Sequence, residues 1–159
     1  MEFIKEEFKN HSNANVLLMD ISCNYYTTDK EKEFFENLLF NISCPLSSVG
    51  TSASKRIRLI NFLVTLAHSQ KSNNIILFID EAQFLREAHL NWLLDIHNQL
   101  NRESIRLTSV LVGTNELKTL KSGMKLSKKL QIIRCFMISE NELNGISNLN
   151  EFIHLHECF

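Results

Sequence analysis

The sequence predicts an α/β fold, a parallel sheet built into a three-layer α/β/α unit. Two apolar runs without polar alternation, Val16-Leu17-Leu18-Met19 and Ile75-Ile76-Leu77-Phe78-Ile79, read as strands buried on both faces. Between and after them, apolar residues recur at helical spacing, so strand and helix alternate, as a parallel sheet requires. One Pro and four Gly in 159 residues are too few turn residues for a many-stranded sandwich or barrel.

Taken in order, Phe3, Ile4 and Phe8 among Glu and Lys predict an amphipathic helix over 2–10, broken at 13–15. The first strand runs over 16–21. Asp29 is placed to cap a helix that reaches Asn41, with Phe34, Leu38 and Ile42 on one face. Residues 43–54, Ser-rich and holding Pro45, form the clearest loop. A helix follows over 54–70 with Ile57, Ile60, Val64 and Ala67 as its stripe, then a strand over 75–80. Residues 87–101 are a helix carrying Leu90, Leu93, Leu94, Ile96 and Leu100, and 107–112 a third strand. Short helices are expected near 115–121 and 124–130, a fourth strand over 132–138, and a helix over 140–157. The division is a core over 1–138 and a C-terminal helical segment over 139–159.

The length suits one domain with a core that needs no disulfide or structural metal. Seventeen Lys and Arg against eighteen Asp and Glu give a net charge of −1, so the chain as a whole is no electropositive nucleic-acid binder. Cys23, Cys44, Cys135 and Cys158 form no Cys-x-x-Cys pair and read as reduced thiols of a cytoplasmic protein. The charged start has no signal-peptide core, and the apolar runs are too short to span a bilayer, so no membrane is expected as a partner.

In parallel sheets the chemistry sits at the carboxyl ends of the strands. Two polar clusters lie there, Asp80-Glu81-Ala82-Gln83 and Gly113-Thr114-Asn115-Glu116. An apolar strand ending in Asp-Glu has the form of a Walker B motif. The first carboxylate can hold the water shell of Mg²⁺, a hard cation that prefers oxygen ligands. The second can orient or deprotonate a water that attacks a γ-phosphate. The plainer reading is a pair capping the following helix. One helix later, a strand ends at Thr114 and Asn115, where a γ-phosphate sensor would sit.

These two stretches resemble the AAA+ ATPases of the TniB and TnsC type, which regulate transposition. The ExeA-type ATPases of secretion systems share the Asp-Glu-Ala-Gln. The resemblance covers about 1–138, is strongest over 74–117, and implies that the helical segment over 139–159 is the remnant of a lid. It implies a P-loop NTPase-like fold with ATP and Mg²⁺ as cofactors. It also implies Asp80 as the Mg²⁺-side acid, Glu81 as hydrolytic glutamate and Thr114 or Asn115 as sensor. Arg134 falls where an arginine finger occurs. The implied partners are DNA, transposase subunits and further copies of the chain in a homo-oligomer.

One departure matters. A P-loop reads Gly-x-x-x-x-Gly-Lys-Ser/Thr, and no two of Gly50, Gly113, Gly123 and Gly145 are five apart. The family's order would put that loop before residue 2, so the chain is expected to lack the first strand and phosphate cradle and to hydrolyse ATP weakly or not at all by itself. The missing strand would lie between those at 107–112 and 132–138.

Lys118, Lys121, Lys125, Lys128, Lys129 and Arg134 put six positive charges into one stretch without an acid. Those five lysines suit a DNA backbone contact; the plainer and favoured reading is a solvated face with Leu120, Leu126 and Leu130 inward. His154, His156 and Cys158 could be drawn as a metal site, but alternate residues do not share a helix face. Trp92 reads as packing on the sheet or at a subunit contact. Three functions are therefore in play: an ATPase module of a transposition regulator, a non-enzymatic interaction protein built on a degenerate ATPase remnant, and an unrelated α/β protein with a fortuitous Asp-Glu.

Overall fold

The computed structural model describes residues 16–26 and 28–140. The expected helices over 2–10 and 140–157, and His154, His156 and Cys158, lie outside these, apart from Glu140. Three strands, β1 (Val16–Ser22), β2 (Asn74–Asp80) and β3 (Arg106–Leu111), form one parallel sheet in the order β1-β2-β3. The register pairs Ser22 with Asp80 and Ile79 with Leu111, so the carboxyl ends of all three strands finish together. Pairing continues past the strand ends. Cys23 N–H donates to the Asp80 carbonyl at 3.0 Å, Val112 N–H to Ile79 at 2.8 Å, and Ala82 N–H to Val112 at 2.9 Å. The loops leaving the sheet are thereby tied to each other before they diverge.

Helices α1 (Glu31–Asn41), α2 (Ser52–Ser69) and α3 (Glu87–Arg102) cover one face of the sheet. Met19, Ile21, Ile75, Leu77, Ile79 and Leu107 meet Phe35, Leu38, Leu59, Leu63, Leu93 and Ile96 in one apolar core. Each such side chain contributes roughly 1.5–3 kcal/mol by leaving water. The α3 residues expected inside, Leu90, Leu93, Leu94, Ile96 and Leu100, are all buried.

The buried stripe of α2 is rotated from the expected one. It runs through Lys55, Leu59, Ile60, Leu63 and Ala67, while Ile57 is exposed. The reason is Lys55, which is 0% exposed and whose ammonium reaches Glu36 Oε2 at 3.0 Å and the Ser47 carbonyl. A charged residue that carries two partners with it can occupy an inward position that apolar patterning assigns elsewhere. Arg58 donates to the Leu46 and Val49 carbonyls at 2.6 and 2.9 Å, so the loop between α1 and α2 is pinned by two cations of α2. Thr51 caps that helix, its hydroxyl accepting from Ser54 N–H at 3.2 Å. Asp29 does not cap α1; its carboxylate faces Arg86 at 3.5 Å.

The C-terminal part departs most from expectation. The two short helices resolve into one, α4 (Glu116–Leu126), running through Gly123. Residues 132–138 are not a strand: Leu130–Phe136 is helix α5. Ile132 is buried, Ile133 and Phe136 half-buried, and Arg134 and Cys135 exposed, which is helical rather than alternating periodicity. A reversal at Lys128, with φ of 56°, separates the two helices. Among the described residues β3 pairs with β2 alone.

Candidate active site

Asp80 is the last residue of β2 and is half-buried; one of its carboxylate oxygens, Oδ1, accepts Glu81 N–H at 2.9 Å. The neighbouring Cys23 thiol is pushed up to about 12, first by burial and then by the Asp80 charge, so the acid's field reaches the end of β1.

Glu81 adopts a left-handed backbone, φ 55° and ψ 34°, which costs a side-chain-bearing residue about 1 kcal/mol. That turn ends β2 and starts a single 3₁₀ turn, Ala82–Phe84. Ala82 is 0% exposed and its N–H is held by Val112, so only a small residue fits between the strands there. Glu81 does not cap the turn: its side chain makes no bond to the backbone following it. Its Oε2 instead accepts from the Gln83 amide, Nε2, at 2.6 Å. The other end of that amide, Oε1, accepts Thr114 N–H at 3.2 Å. Gln83 therefore joins the end of β2 to the loop after β3.

Thr114 and Asn115 are both exposed and lead into α4. The Thr114 hydroxyl accepts Glu116 N–H at 3.4 Å, and Asn115 makes no side-chain cap bond. An open cleft of about 670 Å³ is lined by Gln83, Glu87, Glu116, Thr119, Leu120 and Met124.

Asp80, Glu81, Thr114 and Asn115 thus stand at one end of the sheet. Arg134 lies exposed on α5, and no ion pair joins it to either carboxylate. The lysines are less uniformly basic than the sequence suggests. Lys129 pairs with Glu87 at 3.0 Å, and Lys121 is taken up by the Met137 carbonyl at 2.8 Å and by Glu140, whose carboxyl it holds below the usual range. Lys118, Lys125 and Lys128 are exposed.

Sequence reasoning quoted Gln83 within its motif but gave it no role. The one signal available was Gly113, where a side chain would collide with Gln83, and that collision exists only once β2 and β3 are neighbours.

The donors at this end are hard oxygens, two carboxylates, a hydroxyl and an amide, which fit Mg²⁺. Among the described residues no group of three or more His, Cys, Asp or Glu side chains converges to hold a metal ion directly. No helix among the described residues is long and apolar enough to cross a membrane. Neither a curated protein nor a solved structure matches the chain. A family model described as an AAA domain matches residues 2–120, well over half the chain and including both polar clusters. A parallel α/β sheet with an Asp-Glu pair and a Thr-Asn loop at one end is what that match covers, and the chain belongs to the AAA domain family.

Proposed function

We propose that this AAA domain carries the hydrolysis side of an ATP site in a DNA-transposition regulator of the TniB and TnsC type. The observation that carries the reading is the meeting of Asp80, Glu81 and Thr114 at one end of the sheet, bridged by Gln83. Bound Mg²⁺ would supply charge neutralisation for the phosphates. Asp80 would hold its water shell, and Glu81, with Oε1 not engaged by Gln83, would accept a proton from the attacking water. Thr114 or Asn115 would read the terminal phosphate. Most of the affinity of such sites comes from backbone N–H groups and a lysine around the phosphates. The 159 residues hold no Gly-x-x-x-x-Gly-Lys-Ser/Thr, so weak nucleotide binding and little turnover are expected of them alone. Exposed Lys125 and Lys128 support DNA as the partner of α4 and the turn after it.

The test is Mg²⁺-dependent ATP hydrolysis by the 159-residue chain and by Glu81→Gln. Turnover near background in both is the expected result. Robust turnover abolished by Glu81→Gln would mean that a phosphate cradle is built from residues not assigned to it. Robust turnover unchanged by Glu81→Gln would remove Glu81 from the chemistry altogether. A non-enzymatic role as an interaction module fits the same background turnover and differs in predicting no Mg·ATP binding at all.

A further inference from the structure

We propose that Gln83 is a positioning residue that couples the loop after β3 to the Glu81 carboxylate, so that a displacement of Thr114 is felt at Glu81. Its purpose rests on the reading above; its geometry does not. The orientation of the amide is fixed by its partners. Thr114 N–H can only donate, so the Gln83 oxygen must face it, and a carboxylate can only accept, so the Gln83 NH₂ must face Glu81. Turning the amide over would lose both bonds and set donor against donor and acceptor against acceptor.

The lever is also stiff. Ala82 N–H bonded to the Val112 carbonyl at 2.9 Å ties the two backbones one residue before Gln83 and one before Gly113. Gly113 lets the side chain lie against the loop, since a Cβ there would stand 2.4 Å from Gln83 Oε1. With the backbones tied, movement of the loop beyond Gly113 withdraws the Thr114 N–H from one end of the amide and releases the carboxylate at the other. A group that engages Thr114 or Asn115 thereby changes how freely Glu81 can turn toward a water, without touching it.

The test uses the labelled 159-residue chain without added nucleotide and reads amide resonances and hydrogen exchange. Glu81→Gln should move the Thr114 amide resonance. In a Gln83→Ala background that movement should shrink to about a third or less, as expected when the connecting residue of a coupled pair is removed. Thr114 amide exchange should quicken about fivefold in Gln83→Ala, the loss of one exposed hydrogen bond. Gln83→Glu separates the two ends, since a carboxylate can still accept from Thr114 N–H but cannot donate to Glu81. It should keep the Thr114 exchange protection that Gln83→Ala loses. Unmoved Leu77 and Leu107 amides report that the sheet is intact, and Gln83→Met, of similar length and able to make neither bond, carries the coupling test should Gln83→Ala unfold. A Thr114 response to Glu81→Gln that persists in full in the Gln83→Ala or the Gln83→Met background, or exchange that quickens as much in Gln83→Glu as in Gln83→Ala, overturns the proposal. Because no nucleotide is present, a failure of Mg·ATP to bind would overturn the ATP-site reading and leave this coupling standing.

Discussion

Gly113 and Gln83 fit together only because residue 113 has no side chain: a Cβ would lie 2.4 Å from Gln83 Oε1 and 3.2 Å from its backbone nitrogen. The first obstacle is the end of a flexible side chain, which can swing away; the second is backbone, which must give by a few tenths of an ångström. Gly113→Ala should therefore cost only about 1 kcal/mol of stability in urea unfolding while breaking the Glu81–Gln83 contact. A loss several times larger would mean that the loop, not the side chain, had been forced to move.

His89 should make stability depend on pH. Its ring is 0% exposed, stacked on Phe34 at 5.1 Å and flanked by Tyr26 and Trp92 at 4.6 and 5.3 Å. Nδ1 accepts Arg86 N–H at 3.0 Å, so Nε2 carries the proton and is buried without a partner. Burial lowers its pKa from 6.5; Asp29 opposes that and Arg86 adds to it. The unfolded chain then takes up the proton first as pH falls. The His89 contribution is complete above about 6.5 and is lost progressively below it, until the folded ring itself protonates. Denaturation midpoints should fall on acidification through this range, and His89→Gln, which can still accept at the helix start, should flatten that part of the profile.

Thiol labelling separates the cysteines. Cys135 is exposed, whereas Cys23 and Cys44 are buried with their thiols raised, Cys23 to about 12. Since the thiolate is the nucleophile, mass spectrometry after brief alkylation should find Cys135 modified, and Cys23 and Cys44 modified only after denaturant is added. Labelling of Cys23 in the folded protein would mean that the end of β1 opens readily.

Lys55 should tolerate loss of its charge better than loss of its partner. Glu36→Ala leaves a buried ammonium with the Ser47 carbonyl alone and should cost about 2 kcal/mol, below the range for fully buried pairs because Glu36 is 39% exposed. Lys55→Met, of similar length and apolar, should cost less. Urea unfolding of both variants compares them, and the reverse order would assign the site's stability to the charge itself.

The strands, α3 and the polar clusters at the sheet end were readable because their signals are local: unbroken apolar runs, helical spacing, and carboxylates or small polar residues directly after a strand. What was not readable depended on partners far along the chain. Lys55 turns α2 because Glu36 and Ser47 come to it. Asp29 leaves its cap for Arg86, 57 residues away. The stretch over 132–138 is apolar enough for a strand, and its helical character is settled by Ile132 and Met137 packing into the core. Gln83 needed the neighbouring strand in place before its second hydrogen bond existed.

The central claim is that the Asp80–Glu81 end of the sheet, with Thr114, is where this domain meets Mg·ATP. Amide chemical-shift mapping of the 159-residue chain during an Mg·ATP titration tests it most directly. The account predicts weak, saturable shifts at Asp80, Glu81, Gln83, Thr114 and Asn115, with an affinity on the order of millimolar, and loss of the Glu81 and Gln83 shifts when Mg²⁺ is chelated. Shifts centred on the cleft between Glu87 and Glu116, or none anywhere at saturating Mg·ATP, would contradict it.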